Sequence, residues 1–129
     1  MSNFQIEATA KTPYISFDPV QGTFEIRGRS IPENSIEFYN PLLSYLDDLQ
    51  VNEAGEIQVE MNLEYFNTSS SKCLVEIFRR LEKLSADGSA VAINWYYDAE
   101  DEDMMESGAD FGAIIKIPIN MIEVEEEED

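Results

Sequence analysis

Between residues 57 and 84 the hydrophobic period changes from two to three-and-four across a run of hydroxyl side chains, and few architectures accommodate that change. Ile57, Val59, Met61, Leu63 and Tyr65 alternate with Gln58, Glu60, Asn62 and Glu64, the pattern of a strand with one buried face. Leu74, Ile77, Phe78, Leu81 and Leu84 then recur at helical spacing. The junction reads Asn67-Thr68-Ser69-Ser70-Ser71-Lys72. One such polar residue suffices to cap a helix. Several in succession lie where the first N–H groups lack intrahelical acceptors and the macrodipole is positive, so a phosphoryl group on a first-turn hydroxyl is stabilised there.

The remaining segments alternate in the same way. Ile15 to Phe17 and Thr23 to Arg27 flank Asp18-Pro19-Val20-Gln21-Gly22, a hairpin pattern. Ser30 and Glu33 fit a capping box, with Ser30 as N-cap, opening a helix whose apolar face is Ile36, Tyr39, Leu43, Leu46 and Leu49. Pro41 falls inside that pattern and predicts a kink or two short helices. A helix of about 69–85 ends at Asp87-Gly88, and Ser89 to Tyr97 reads as a strand with Val91, Ile93, Trp95 and Tyr97 on one face. A short helix from Asp101 to Ser107 stops at Gly108, and a last strand from Ile114 to about Met121 carries Pro118, which places it at a sheet edge. The expected fold is α/β: one domain over residues 1–124 with a mixed five-stranded sheet, an N-terminal hairpin and then βαβαβ, helices mainly on one face. Crossovers between its parallel strands are expected to be right-handed. In such a sheet the turns leaving the parallel strands gather at one end. The hydroxyl run is therefore expected on an exposed rim with Arg29, Ser30, Pro32, Glu33, Asn34, Asn67, Lys72, Asp98 and Asp101.

Charge excludes several functions. The chain carries 8 basic and 27 acidic residues, a net −19, and no histidine. Nucleic acid and anionic membranes are poor partners for it, since phosphate contacts need clustered cations. No nucleophile stands with a base beyond Lys72, so catalysis is not expected. Asp98, Glu100, Asp101 and Asp103 lack the loop glycine and terminal glutamate of an EF-hand, and neither metal nor cofactor is expected. The single cysteine, Cys73, and the lack of a signal or spanning segment point to a reducing cytoplasm. Whether Trp95, Tyr96 and Tyr97 belong to the core or to a partner patch stays open at this point.

Thr12-Pro13, Phe17-Asp18, Gly22, Ile26-Arg27-Gly28, Ser30, Pro32-Glu33-Asn34, Phe38-Tyr39, Pro41 and Tyr65 to Lys72 together resemble the SiaC family of bacterial regulatory phosphoproteins. That family is similar in plan to the STAS domains of anti-sigma factor antagonists. The resemblance implies a non-catalytic switch: a Ser/Thr kinase modifies Thr68, rather than Ser69, Ser70 or Ser71, and a PP2C-type phosphatase reverses it. The dephosphorylated form then binds and activates a diguanylate cyclase, controlling c-di-GMP and biofilm. An anti-sigma-type partner switch and a constitutive scaffold are the alternatives. The Asp98–Asp103 acids, expected beside Thr68, and the terminal acids lie outside the family pattern.

Residues 125–129 are Glu-Glu-Glu-Glu-Asp, with no apolar side chain to offset the entropy of ordering them, and are expected to form a disordered tail. Deleting them should leave urea unfolding within about 0.5 kcal/mol of the parent; a larger loss would give the tail a structural role.

Overall fold

A computed structural model describes residues 2–49 and 56–125. Its elements run β1 (Phe4–Ile6), β2 (Tyr14–Asp18), β3 (Thr23–Ser30), α1 (Ser35–Asp48), β4 (Glu56–Phe66), α2 (Thr68–Ala86), β5 (Ala90–Asp98), α3 (Glu102–Ile114) and β6 (Ile119–Val124). The strands lie in the sheet in their sequence order. β1, β2 and β3 pair antiparallel, and β3 through β6 pair parallel. The sheet thus has six strands where five were expected. β1 is three residues long, too short to show a period, and is held by Phe4 opposite Phe17 and Ile6 opposite Ile15.

Register aligns the apolar positions into a single layer. Ile26, Met61 and Trp95 are cross-strand neighbours, as are Phe24, Val59 and Ile93, and all six are buried. The helices cover this face. The other face carries Glu25, Glu60 and Asn94 side by side, and among the described residues no helix lies over it. As expected, β6 is an edge strand that begins immediately after Pro118.

Three expectations about helices change. α1 begins at Ser35 rather than after Ser30, capped by Asn34, whose Oδ1 accepts from Glu37 N at 3.1 Å. Ser30 cannot cap it because β3 runs to Ser30 and Ile31 N donates to Lys11 O at 2.8 Å, holding the chain extended. α1 also runs unbroken through Pro41, which removes a single backbone donor while Tyr39, Leu42 and Leu46 on either side are buried in the core. With the start moved, the buried face is Tyr39, Leu42 and Leu46, and Ile36 is 75 % exposed.

α3 extends to Ile114, so Gly108 lies inside it and β6 begins five residues later than expected. Gly108 is there for contact, not termination. A Cβ on it would stand 2.5 Å from Trp95 Cδ1 and 2.9 Å from Met121 Cε. Trp95 is itself fixed, with Nε1 donating to Met104 O at 2.9 Å and its ring 5.5 Å from that of Phe111. Trp95 therefore belongs to the core, while Tyr96 and Tyr97 are half-buried. Helix propensity alone would have Gly108→Ala stabilise the protein by about 1 kcal/mol. The packing predicts the opposite sign, a loss of about 1–3 kcal/mol in urea unfolding.

Candidate functional site

β4 breaks its own alternation just before the junction. Gly28 pairs with Leu63, but Arg29 pairs with Tyr65 and Ser30 with Phe66, so Glu64 is an extra residue and the strand bulges. Beyond the bulge the faces exchange. Tyr65, expected inside, is 53 % exposed, and Phe66 turns inward against Trp95 and Phe111 at centroid distances of 6.2 Å. Asn67 N then donates to Ser30 O at 3.0 Å, carrying the β3–β4 connection into the first turn of α2.

Asn67 caps α2. Its Oδ1 accepts from Ser70 N at 2.9 Å and from Ser69 Oγ at 3.2 Å, and its carbonyl accepts from Ser71 N at 3.1 Å. The hydroxyls that follow have different fates. Ser70 is fully buried; its Oγ donates to Ser30 O at 3.0 Å and accepts from Ser30 Oγ at 2.8 Å. Tyr39 OH lies 2.6 Å from Ser30 Oγ, and because the Ser30 proton is directed at Ser70, Tyr39 is the donor. Ser69 Oγ meets Ser35 Oγ, the first residue of α1, at 2.7 Å. Ser71 Oγ donates to Thr68 O at 2.6 Å. Thr68 is exposed at the first helical position, and its hydroxyl makes no hydrogen bond among the described residues.

Beside Thr68 a groove of about 320 Å³ opens between α2 and α3, lined by Phe66, Ser71, Ser107, Asp110 and Phe111. The acid next to Thr68 is thus Asp110, not the Asp98–Asp103 loop. That loop borders a separate concavity and serves its own turns: Asp98 Oδ1 accepts from Glu100 N at 2.9 Å, and Asp101 caps α3 by accepting from Met104 N at 3.0 Å. Of the expected rim, Arg29, Glu33, Asn34 and Lys72 are exposed and Asn67 is half-buried. Ser30 and Pro32 are buried and act by packing and hydrogen bonding within the domain, so they do not form a contact surface.

Ser107 and Asp110 join this end of the molecule without having been singled out in the sequence, and Ile36 and Tyr65 join it although both were expected on buried faces. Ile36 was expected on the buried face of α1 and lies outside it, because the helix begins at Ser35 and Tyr39, Leu42 and Leu46 take that face. Tyr65 and Asp110 had no signal, because a bulge and the length of α3 decide their positions. Among the described residues no group of three or more acidic, Cys or His side chains is placed to hold a metal ion. No helix among the described residues is long and apolar enough to cross a membrane.

A family model described as SiaC family regulatory phosphoprotein matches residues 6–124. A curated, uncharacterised protein of Pseudomonas aeruginosa is 31% identical over 111 residues, 86% of this chain and 88% of its own. Two solved structures superpose on nearly the whole fold, each at 28% identity. SiaC of Pseudomonas aeruginosa does so with TM-score 0.82 over 96% of this chain and 100% of that one. The second is SiaC of the same organism in complex with the diguanylate cyclase SiaD, which it activates, with TM-score 0.83 over 94% of this chain and 99% of that one.

Burial pushes the Tyr39 phenol up to about 12. A raised phenol pKa means that the unfolded chain loses its proton first. Stability tied to Tyr39 is therefore complete below pH ~10 and is lost as pH rises through about 12, a change of ~2–3 kcal/mol. Tyr39→Phe should cost about 1–2 kcal/mol at neutral pH and flatten this alkaline slope in denaturation curves taken from pH 8 to 12.

Proposed function

The chain belongs to the SiaC family of regulatory phosphoproteins, and from that premise we propose that it is a partner switch in which phosphorylation of Thr68 controls activation of a diguanylate cyclase. The observation that carries the assignment is the state of the hydroxyls. Ser70 is buried, Ser69 and Ser71 spend their protons inside the domain, and Thr68 alone offers an exposed, uncommitted Oγ. A Ser/Thr kinase adds the phosphoryl group and a PP2C-type phosphatase removes it, in the cytoplasm. The relative's complex with its cyclase supports an effector of that class, and hence control of c-di-GMP and biofilm.

The dephosphorylated form is the one that binds. Exposed Ile36 follows Ser35, which meets Ser69 in the first turn of α2, and exposed Tyr65 lies two residues before Asn67; with exposed Arg29, Glu33, Asn34 and Lys72 at the same end of the sheet they offer apolar contacts and charged groups to a partner. Phosphate on Thr68 meets the free N–H groups at the start of α2, so the fold tolerates it, with a gain of about 0.3–1 kcal/mol. At a desolvated interface the same charge is unpaired and costs about 2–5 kcal/mol, roughly 30-fold to several thousand-fold in affinity.

Thr68→Ala should abolish labelling by the cognate kinase, checked by phosphopeptide mass spectrometry on protein from the native host. Labelling that persists on Ser69 or Ser71 would refute the assignment. Ile36→Asp should weaken cyclase binding more than tenfold by calorimetry with the melting temperature unchanged. Phosphorylation itself should leave helical circular dichroism intact; a large loss would mean that the switch acts by local melting.

A further inference from the structure

We propose that Asp110 is a positioning residue for the phosphoryl group on Thr68, keeping it out of the groove between α2 and α3 and turned toward solvent, where a phosphatase reaches it. This rests on Thr68 being the modified residue. Two directions are open to a phosphoryl group on that hydroxyl. Inward lies the groove, whose floor is Phe66 and Phe111. Its two serine hydroxyls are already committed as donors, Ser71 to Thr68 O and Ser107 to Asp103 O at 2.9 Å. The groove therefore presents a dianion with aromatic rings, no spare hydroxyl proton from either serine, the Asn67 side-chain amide and the Asp110 carboxylate. Outward lie the first amides of α2 and exposed Lys72, one helical turn beyond Thr68.

Other charged side chains at this end of the sheet are Arg29 on β3, Glu33 before α1, Glu64 on β4, Asp98, Glu100, Asp101, Glu102 and Asp103 from the end of β5 to the start of α3, and Glu106 on α3. None of them lines the groove. Among the described residues Asp110 is the one charged side chain that lines the groove, and Lys72 lies on the outward side. Repulsion from Asp110 holds the phosphoryl group at the exposed start of α2, next to the start of α1, so a single carboxylate makes the mark both obstructive to an effector and reversible. With the acid replaced by an amide, the Asn67 side chain and the new amide would give the phosphoryl group donors in the groove and let it fold in and shelter.

Phosphothreonine installed at position 68 of the full chain during synthesis tests this without the native kinase. The proteins are the parent, Asp110→Asn, and Glu100→Gln, which removes the same charge from the separate acidic concavity. In ³¹P NMR titrations Asp110→Asn should lower the second phosphate pKa by about 0.3–1, because a like charge nearby disfavours the dianion. A manganese-dependent PP2C-type phosphatase should release phosphate from that variant about two- to tenfold more slowly, the population change such a shift represents. Glu100→Gln should match the parent in both. Equal titrations and rates in Asp110→Asn and the parent would overturn the proposal, as would Glu100→Gln changing them as much as Asp110→Asn. Because the phosphate is installed chemically, either result is separate from whether a kinase chooses Thr68, which the Thr68→Ala labelling decides.

Discussion

Ser30 and Ser70 bind each other twice, hydroxyl to hydroxyl at 2.8 Å and hydroxyl to carbonyl at 3.0 Å, and both are sealed from solvent. Buried polar groups of this kind are costly unless every one is satisfied. Here the satisfaction is mutual and fixes the end of β3 against the start of α2. Tyr39 completes it from α1, and Ser35 reaches Ser69 from the first residue of the same helix. Displacing any of these elements would strand buried donors or acceptors, so the geometry around Thr68 is set by groups that no partner touches.

From that fixed point the exposure of the other hydroxyls follows. With Ser70 turned inward at the third helical position, Thr68 at the first must face away, since two positions on a helix differ by about 200°. The bulge at Glu64 does the matching work on the strand side. By exchanging faces it sends Phe66 into the aromatic cluster with Trp95 and Phe111 and leaves Tyr65 outside. α3 then closes one wall of the site because Gly108 lets it approach Trp95, and Asp110 is carried to the groove by that approach.

The acidity of the chain is arranged around this frame. On the uncovered sheet face Glu25 and Glu60 are cross-strand neighbours, an arrangement that costs stability by itself. The Asn94 amide answers Glu60 at 3.1 and 3.3 Å, and Asn120 in turn donates to Asn94 at 3.1 Å. The Glu60 carboxylate accepts from Tyr96 and raises the pKa of that phenol, with burial adding to the effect. A row of amides and a phenol thus lets a strongly acidic sheet face remain in a stable sheet.

Local signals determined much of this protein. The period-two run of β4, the helical run of α2, the hydroxyls between them and the Gly88 stop are each written within a few residues, and backbone propensity and burial act at that range. The exposure of Thr68 was legible to the same extent, as a hydroxyl at a helix start. What sequence could not decide was which polar residue would cap and which aromatic would turn in. Ser30 has the right chemistry for an N-cap, yet pairing with β4 and the Ile31–Lys11 hydrogen bond keep it in a strand, and Asn34 caps instead. Tyr65 has the right spacing for the core, yet one extra residue opposite Gly28 reverses it. Gly108 has the composition of a helix stop, yet Trp95, thirteen positions earlier, makes it a point of contact. In each case the deciding partner lies on another element, and only the assembled sheet brings the two together.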